Sequence, residues 1–175
     1  MLPSETKRVI SYSFRIDNET HPLLEEEARQ KQVSVNVLLN QIAREHFIRK
    51  KFEKIGCVQI TKDILREVFD LADESQLIKR AEKLGSAHAA EYIQFLYRDV
   101  NKSNAIKFLD LLFGRFQGFQ HEIHGSTHSF SILHDLNEKY SIFVKAFVKS
   151  FCETMFNEPA KIQTTARTIM FSFSI

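Results

Sequence analysis

Arg8-Val9-Ile10-Ser11-Tyr12-Ser13-Phe14-Arg15-Ile16-Asp17 is the stretch whose reading decides the fold. Ile10, Tyr12, Phe14 and Ile16 are apolar at every second position, with Ser11, Ser13 and Arg15 between them. That alternation predicts a half-buried strand. No second strand pattern follows within about forty residues, roughly the reach of a hairpin or a short crossover. A lone strand leaves a row of backbone N–H and C=O groups unpaired. The same strand from a second copy of the chain would pair them. Residues 1–54 are therefore read as half of an intertwined homodimer, and residues 55–175 as a separate domain.

Two helical patterns follow the strand. Asp17, Asn18 and Thr20 are capping residues, and Pro22 suits a first turn. The first helix is expected over Leu23 to Lys31, its start delayed or reshaped by Pro22. Its acids precede its bases, as the helix dipole favours. Ser34 is a good cap for the second helix, where Val35, Leu38, Leu39, Ile42 and Phe47 mark an expected buried face. Arg44, Arg49, Lys50, Lys51 and Lys54 crowd its far end. They suit a solvated C-terminal turn or direct contact with phosphates, and both readings stay open.

Strand, helix, helix in about fifty residues resembles a ribbon-helix-helix DNA-binding module, the class of the Arc and methionine repressors. Ser11-Tyr12-Ser13-Phe14-Arg15-Ile16 is similar to that family's alternating strand. Ser34-Val35-Asn36 is similar to the start of its second helix, nineteen residues after Arg15. The resemblance covers residues 7 to about 51. It implies that Ser11, Ser13 and Arg15 of two paired strands face base edges in a major groove, which admits a two-stranded ribbon. A guanidinium at Arg15 can bond guanine O6 and N7 together. The N–H groups at Ser34, Val35 and Asn36 would hold a backbone phosphate, and Lys7 and Arg8 would reach flanking phosphates. The plain alternative is that Ser11, Ser13 and Arg15 form the wet face of an exposed sheet.

Beyond residue 55 no family resemblance is stated. Cys57-Val58-Gln59-Ile60 suggests a short strand, and Thr61 a cap for a helix with Ile64, Leu65, Val68, Phe69 and Leu71 on its apolar face. Ser75 starts a helix expected to break at Gly85-Ser86 and resume to about Tyr97. Ser103 is the expected cap of a helix to about Phe116. Then Phe119–His124 and His128–His134 alternate around Gly125, Leu136 to about Phe156 is a long amphipathic helix, and residues 161–165 and 168–175 form a second hairpin. Ile169, Phe171, Phe173 and Ile175 are expected to face that helix. The fold class is α+β: a ribbon-helix-helix module, a helical segment, and a β-β-α-β-β domain with one antiparallel sheet.

Sixteen Phe and no Trp point to an aromatic core after residue 51. The Phe stripes read as core, with a pocket for an apolar effector as the other reading. A net charge of +2 means that any surface for DNA must be local. No stretch approaches the ~18 apolar residues of a membrane span, and no signal-peptide core is visible, so a cytoplasmic protein is expected. Of seven histidines, His121, His124, His128 and His134 fall in one hairpin. They are candidate metal ligands or a pH sensor, against the plainer reading of structural or exposed side chains. No P-loop, Rossmann glycine pattern, GxSxG or HExxH is present, and no enzyme is expected.

These residues predict a transcriptional regulator that binds duplex DNA as a homodimer or tetramer. Its C-terminal domain would sense an effector, assemble further, or both. DNA binding itself requires no cofactor on this reading; the effector would be a metal or a small molecule. The alternative is an antitoxin-like protein that binds DNA and a protein partner.

Overall fold

The computed structural model describes residues 10, 13, 15–54, 56, 59–116 and 118–175. The expected N-terminal strand rests largely on residues 8, 9, 11, 12 and 14, which lie outside the described residues. Residues 10, 13 and 15–17 are described and belong to no strand. The chain forms two compact units, Met1–Lys50 and Lys51–Ile175. No helix among the described residues is long and apolar enough to cross a membrane.

In the first unit, α1 spans Thr20–Gln30 and α2 begins at Val35 and ends at Lys54. Asp17 starts α1. Its Oδ1 accepts from the N–H groups of Glu19 and Thr20 at 3.0 and 2.7 Å, and its carbonyl accepts from His21. The bonds from Thr20 hold the Asp17 carboxyl below its ordinary pKa. Pro22 therefore does not delay the helix. The carbonyl four residues before it, at Asn18, precedes α1, so the ring meets no helical partner. At the other end Gln32 is left-handed, with φ 53°. Val33 N–H bonds the Ala28 carbonyl and Gln32 N–H bonds that of Arg29, which turns the chain sharply into α2. Leu24, Ala28 and Leu38 are buried, with Ile16, Val33, Val35 and Leu39 packed around them.

The second unit is larger. It holds α3 (Lys62–Leu71), α4 (Glu74–Lys83), a π-helical turn (Leu84–His88), α5 (Ala89–Tyr97) and α6 (Lys102–Phe113). Then come β1 (Gln120–His124), β2 (Thr127–Leu133), α7 (Glu138–Phe156), β3 (Lys161–Thr164) and β4 (Thr168–Ser174). The four strands form one antiparallel sheet in the order β1-β2-β4-β3. The α+β architecture with two hairpins around a long helix is as the sequence reads. Thr61 caps α3 through a 3.5 Å bond from Ile64 N–H, also as read.

The other caps differ. Asp73, not Ser75, starts α4, and Asn101, not Ser103, starts α6. Asn137 starts α7 by accepting from Tyr140 N–H at 3.0 Å. In each case an Asp or Asn stands upstream with extended backbone, which a cap requires. α6 ends at Phe113 rather than near Phe116. Gln59 and Ile60 are in no strand; Cys57 and Val58 lie outside the described residues.

Gly85 stands where the α-helix is interrupted, as read, by a π turn between α4 and α5. It sits in the π turn against α7, where an added Cβ would lie 2.3 Å from the Phe147 carbonyl oxygen. The absent side chain lets two backbones meet. The Ser86 and Ser150 hydroxyls both donate to the Glu82 carbonyl at 2.9 Å, which supports the widened turn and ties it to α7.

α7 lies on one face of the sheet. Val144, Phe147, Val148, Phe151 and Phe156 bury against Phe130, Ile132, Ile169, Phe171 and Phe173. Each fully buried Phe contributes roughly 2–3 kcal/mol. The rings stack: Phe130 on Phe171 at 4.7 Å and Phe156 on Phe173 at 4.4 Å between centroids. Ile175 is exposed, one residue past the end of β4. The apolar face of α3 is only partly used. Phe69 is buried, whereas Ile64, Val68 and Leu71 are exposed.

Candidate functional site

The residues read as DNA contacts divide into three groups. Lys7, Arg8 and Ser11 lie outside the described residues. Ser13 and Arg15 are exposed. Ser34, Val35 and Asn36 form the start of α2. Ser34 Oγ accepts from Val37 N–H at 3.3 Å, and the Ser34 carbonyl accepts from Leu38 at 3.0 Å. The N–H groups of Val35 and Asn36 belong to the first turn, where a helix has no carbonyl to offer them. Ser34 and Asn36 are exposed and Val35 half-buried. This is the polar, N–H-rich end that the sequence reading placed on a phosphate. At the far end of α2, Arg44 and Arg49 are exposed. Lys51 instead sits 5.3 Å above the Tyr97 ring, which gives its charge a partner within the second unit.

The expected buried face of α2 is corrected. Leu38 is fully buried, but Ile42 is 39% and Phe47 69% exposed, and Val37 and Ile48 are exposed as well. Within one chain, the first unit has few apolar groups for α2 to pack against. Its described core buries Leu24, Ala28 and Leu38.

The four hairpin histidines end in three places. His121 and His128 meet diagonally across β1 and β2, because His121 pairs with Phe130 and His128 with Ile123. Asp110 Oδ1 lies 2.7 Å from His121 Nδ1, and His121 Nε2 lies 2.9 Å from His128 Nδ1. His121 stacks on Phe130 with centroids 3.9 Å apart. Asp110 accepts the Nδ1 proton of His121, and one further proton occupies the bond between the rings. On His121 it makes an imidazolium paired with Asp110; on His128 both rings are neutral. Burial, with the His121 charge beside it, lowers the His128 pKa, and Asp110 opposes that. His124 falls on the opposite face of β1, exposed beside Glu122. Among the described residues no three His, Cys, Asp or Glu side chains are placed to hold a metal ion.

His134 is fully buried past the end of β2. Its Nδ1 accepts from Leu136 N–H at 3.1 Å, so the proton sits on Nε2. Nε2–H donates to Ser141 Oγ at 2.9 Å, and that hydroxyl donates to the Thr165 carbonyl at 2.6 Å. Every polar atom of this chain is satisfied with the ring neutral.

No known family model matches this chain, and no curated protein is similar to it.

Two partners in these polar chains were missed in the sequence. Asp110 is the one charge within Phe108-Leu109-Asp110-Leu111-Leu112-Phe113, and a lone carboxylate in an apolar run is a signal for a buried partner. Ser141 carries no comparable signal. Burial, opposed by Asp135 and aided by Lys62, pushes the His134 pKa down to about 4. The unfolded ring titrates near its ordinary value of 6.5. Between pH 6.5 and 4 the unfolded chain takes a proton that the folded chain refuses. Stability is therefore expected to be full above pH 6.5, to fall by up to about 3 kcal/mol by pH 4, and to lose nothing more from this group below that. Urea denaturation across this range checks it. His134→Asn keeps an acceptor for Leu136 and is expected to flatten the profile by about one proton; an unchanged slope would refute the assignment.

Proposed function

We propose that this chain is a sequence-specific, duplex-DNA-binding regulator in the cytoplasm that acts as a homodimer of the ribbon-helix-helix type. Residues 8–17 of two copies pair into a ribbon. Ser11, Ser13 and Arg15 reach base edges, and the start of α2 at Ser34, Val35 and Asn36 takes a phosphate. The observation that carries this reading is the exposure of apolar side chains along α2. Ile42, Phe47 and Ile48 are exposed, while the described core of the unit buries Leu24, Ala28 and Leu38. A second copy of the chain that packs on more than one side of α2 would cover them, at roughly 1–2 kcal/mol for each side chain buried. The exposed Ser34 and Asn36 at the helix start support the DNA contact but do not carry it.

The test is the oligomeric state together with selection from a random duplex pool. The full chain is expected to sediment as a dimer or tetramer at micromolar concentration. It should enrich a site with two-fold symmetry and bind it more weakly as salt rises, because bound cations leave the duplex. Phe47→Asp is expected to shift the chain toward monomer and to abolish DNA binding with it. A chain that stays monomeric at about 50 μM and enriches no duplex would overturn the reading.

A further inference from the structure

We propose that the second unit binds a small, uncharged, ring-shaped apolar molecule in the cleft between α7 and the α5–α6 pair. The cleft measures about 190 Å³. Leu84, Tyr92, Phe108, Leu112, Tyr140 and Val144 line it, and no charged side chain does. An apolar cavity of about 150 Å³ is enough to hold benzene. This cleft therefore suits one ring with a short substituent, and it is too small for a peptide helix, which measures about 10 Å across. A charged ligand would meet no counter-ion there and would lose its hydration. A further concavity, on the outer face of the sheet, is about 450 Å³ and is lined by Gln120, Glu122, Ser129, Lys161 and Gln163 among others. It mixes these polar and charged groups with Met170, Phe130 and Phe171, and offers no purely apolar enclosure.

Two further observations favour a ligand over a packing gap. The wall at Leu84 is the first residue of the π turn, and such turns interrupt an α-helix at some cost to its ladder. The second is Tyr140. Its ring packs on Phe69 and Phe116, and its hydroxyl is not a buried orphan but a group that solvent or a ligand can reach. Tyr140 also borders the adjoining concavity at Gln59, Thr61 and Arg115, so it stands where the cleft opens. A ligand carrying one hydroxyl could bond it there. Burial raises the Tyr140 pKa, so the group stays a neutral donor or acceptor. This inference rests on nothing in the DNA reading, and either can fail alone.

The experiment uses the full chain with toluene and phenol as probes, and benzoate as the charged control. Toluene and phenol are each expected to bind once per chain and, at ten times Kd, to raise the melting midpoint by about 3–5 °C. Benzoate is expected to leave it unchanged. Leu112→Trp places a ring in the cleft from a half-buried position and is expected to weaken both probes at least about tenfold while the chain stays folded. Val144→Phe is the second filled variant, for use if the first perturbs folding. Tyr140→Phe is expected to weaken phenol about 2–10-fold and leave toluene alone, since one neutral hydrogen bond is lost. Absence of saturable binding by either probe would overturn the proposal. So would binding that survives in both filled variants, or benzoate binding equal to toluene. Equal response of the two probes to Tyr140→Phe would overturn the role given to that hydroxyl.

Discussion

Arg15→Ala is expected to weaken binding to the selected duplex by about 30-fold to 10⁴-fold, since each bidentate guanine contact contributes roughly 1–3 kcal/mol and a dimer carries two. The loss is expected to be uneven across sequences. Duplexes altered at the contacted base pair lose that contact already, so their affinity should fall little further. Arg15→Lys is the sharper comparison. It keeps the charge, and hence the attraction to the duplex, but not the flat fork that bonds O6 and N7 together. Its salt dependence should match that of the parent chain while its sequence preference relaxes. Ser34→Ala should act the other way, with weaker binding to every duplex and preference intact, because a phosphate contact is blind to sequence. Fluorescence anisotropy against the selected duplex and a set of single-pair variants reads all three. An Arg15→Ala chain that binds as the parent does would remove the ribbon from the major groove.

Gly85→Ala is expected to destabilise the second unit by about 3 kcal/mol, the upper end of what overpacking costs. The sign is the test. In the interior of an ordinary helix, glycine to alanine gains about 1 kcal/mol. Here the new methyl would stand 2.3 Å from the Phe147 carbonyl oxygen and 3.1 Å from the Phe151 nitrogen. Both neighbours are backbone of α7 and cannot rotate away. Gly125→Ala is the contrast. Gly125 has φ +63° in the turn between β1 and β2, and a Cβ there meets nothing within 4 Å. Its cost is backbone strain alone, about 1 kcal/mol. Chemical denaturation of both variants should therefore rank them Gly85→Ala well below Gly125→Ala. A neutral or stabilising Gly85→Ala would mean that the π turn and α7 do not touch as described.

The hairpins and the long helix were legible because their signals are local. Phe130 and Ile132 alternate with serines, Ile169, Phe171 and Phe173 alternate in β4, and Gly125 marks the turn between β1 and β2. Pairing of β2 with β4 was not legible, since alternation shows which face is apolar and not which strand lies beside it. The same limit explains α3. Its periodicity announces an apolar face, yet Phe69 is buried and Leu65 half-buried while Ile64, Val68 and Leu71 are exposed. The interruption at Gly85 was legible because glycine usually punctuates a helix, but its contact with a helix about sixty residues on was not. Of the four hairpin histidines, strand parity separates His124 from His121, but Asp110 comes from another element and only the fold brings it near. At the amino end, the residues that match the DNA-binding ribbon fall mostly outside those described, and Ser13, Arg15 and the start of α2 are what the structure adds.

The strand order β1-β2-β4-β3 also bears on how the protein is made. β4 is the latest of the four strands to leave the ribosome, yet it lies in the interior of the sheet and supplies Ile169, Phe171 and Phe173 to the core. Until it emerges, α7 has no complete surface to cover, and its row of phenylalanines waits in water. The first unit, translated long before, would be free to pair with a second copy in the meantime if it dimerises as proposed. Assembly of the dimer would then begin on nascent chains, with the aromatic domain closing last.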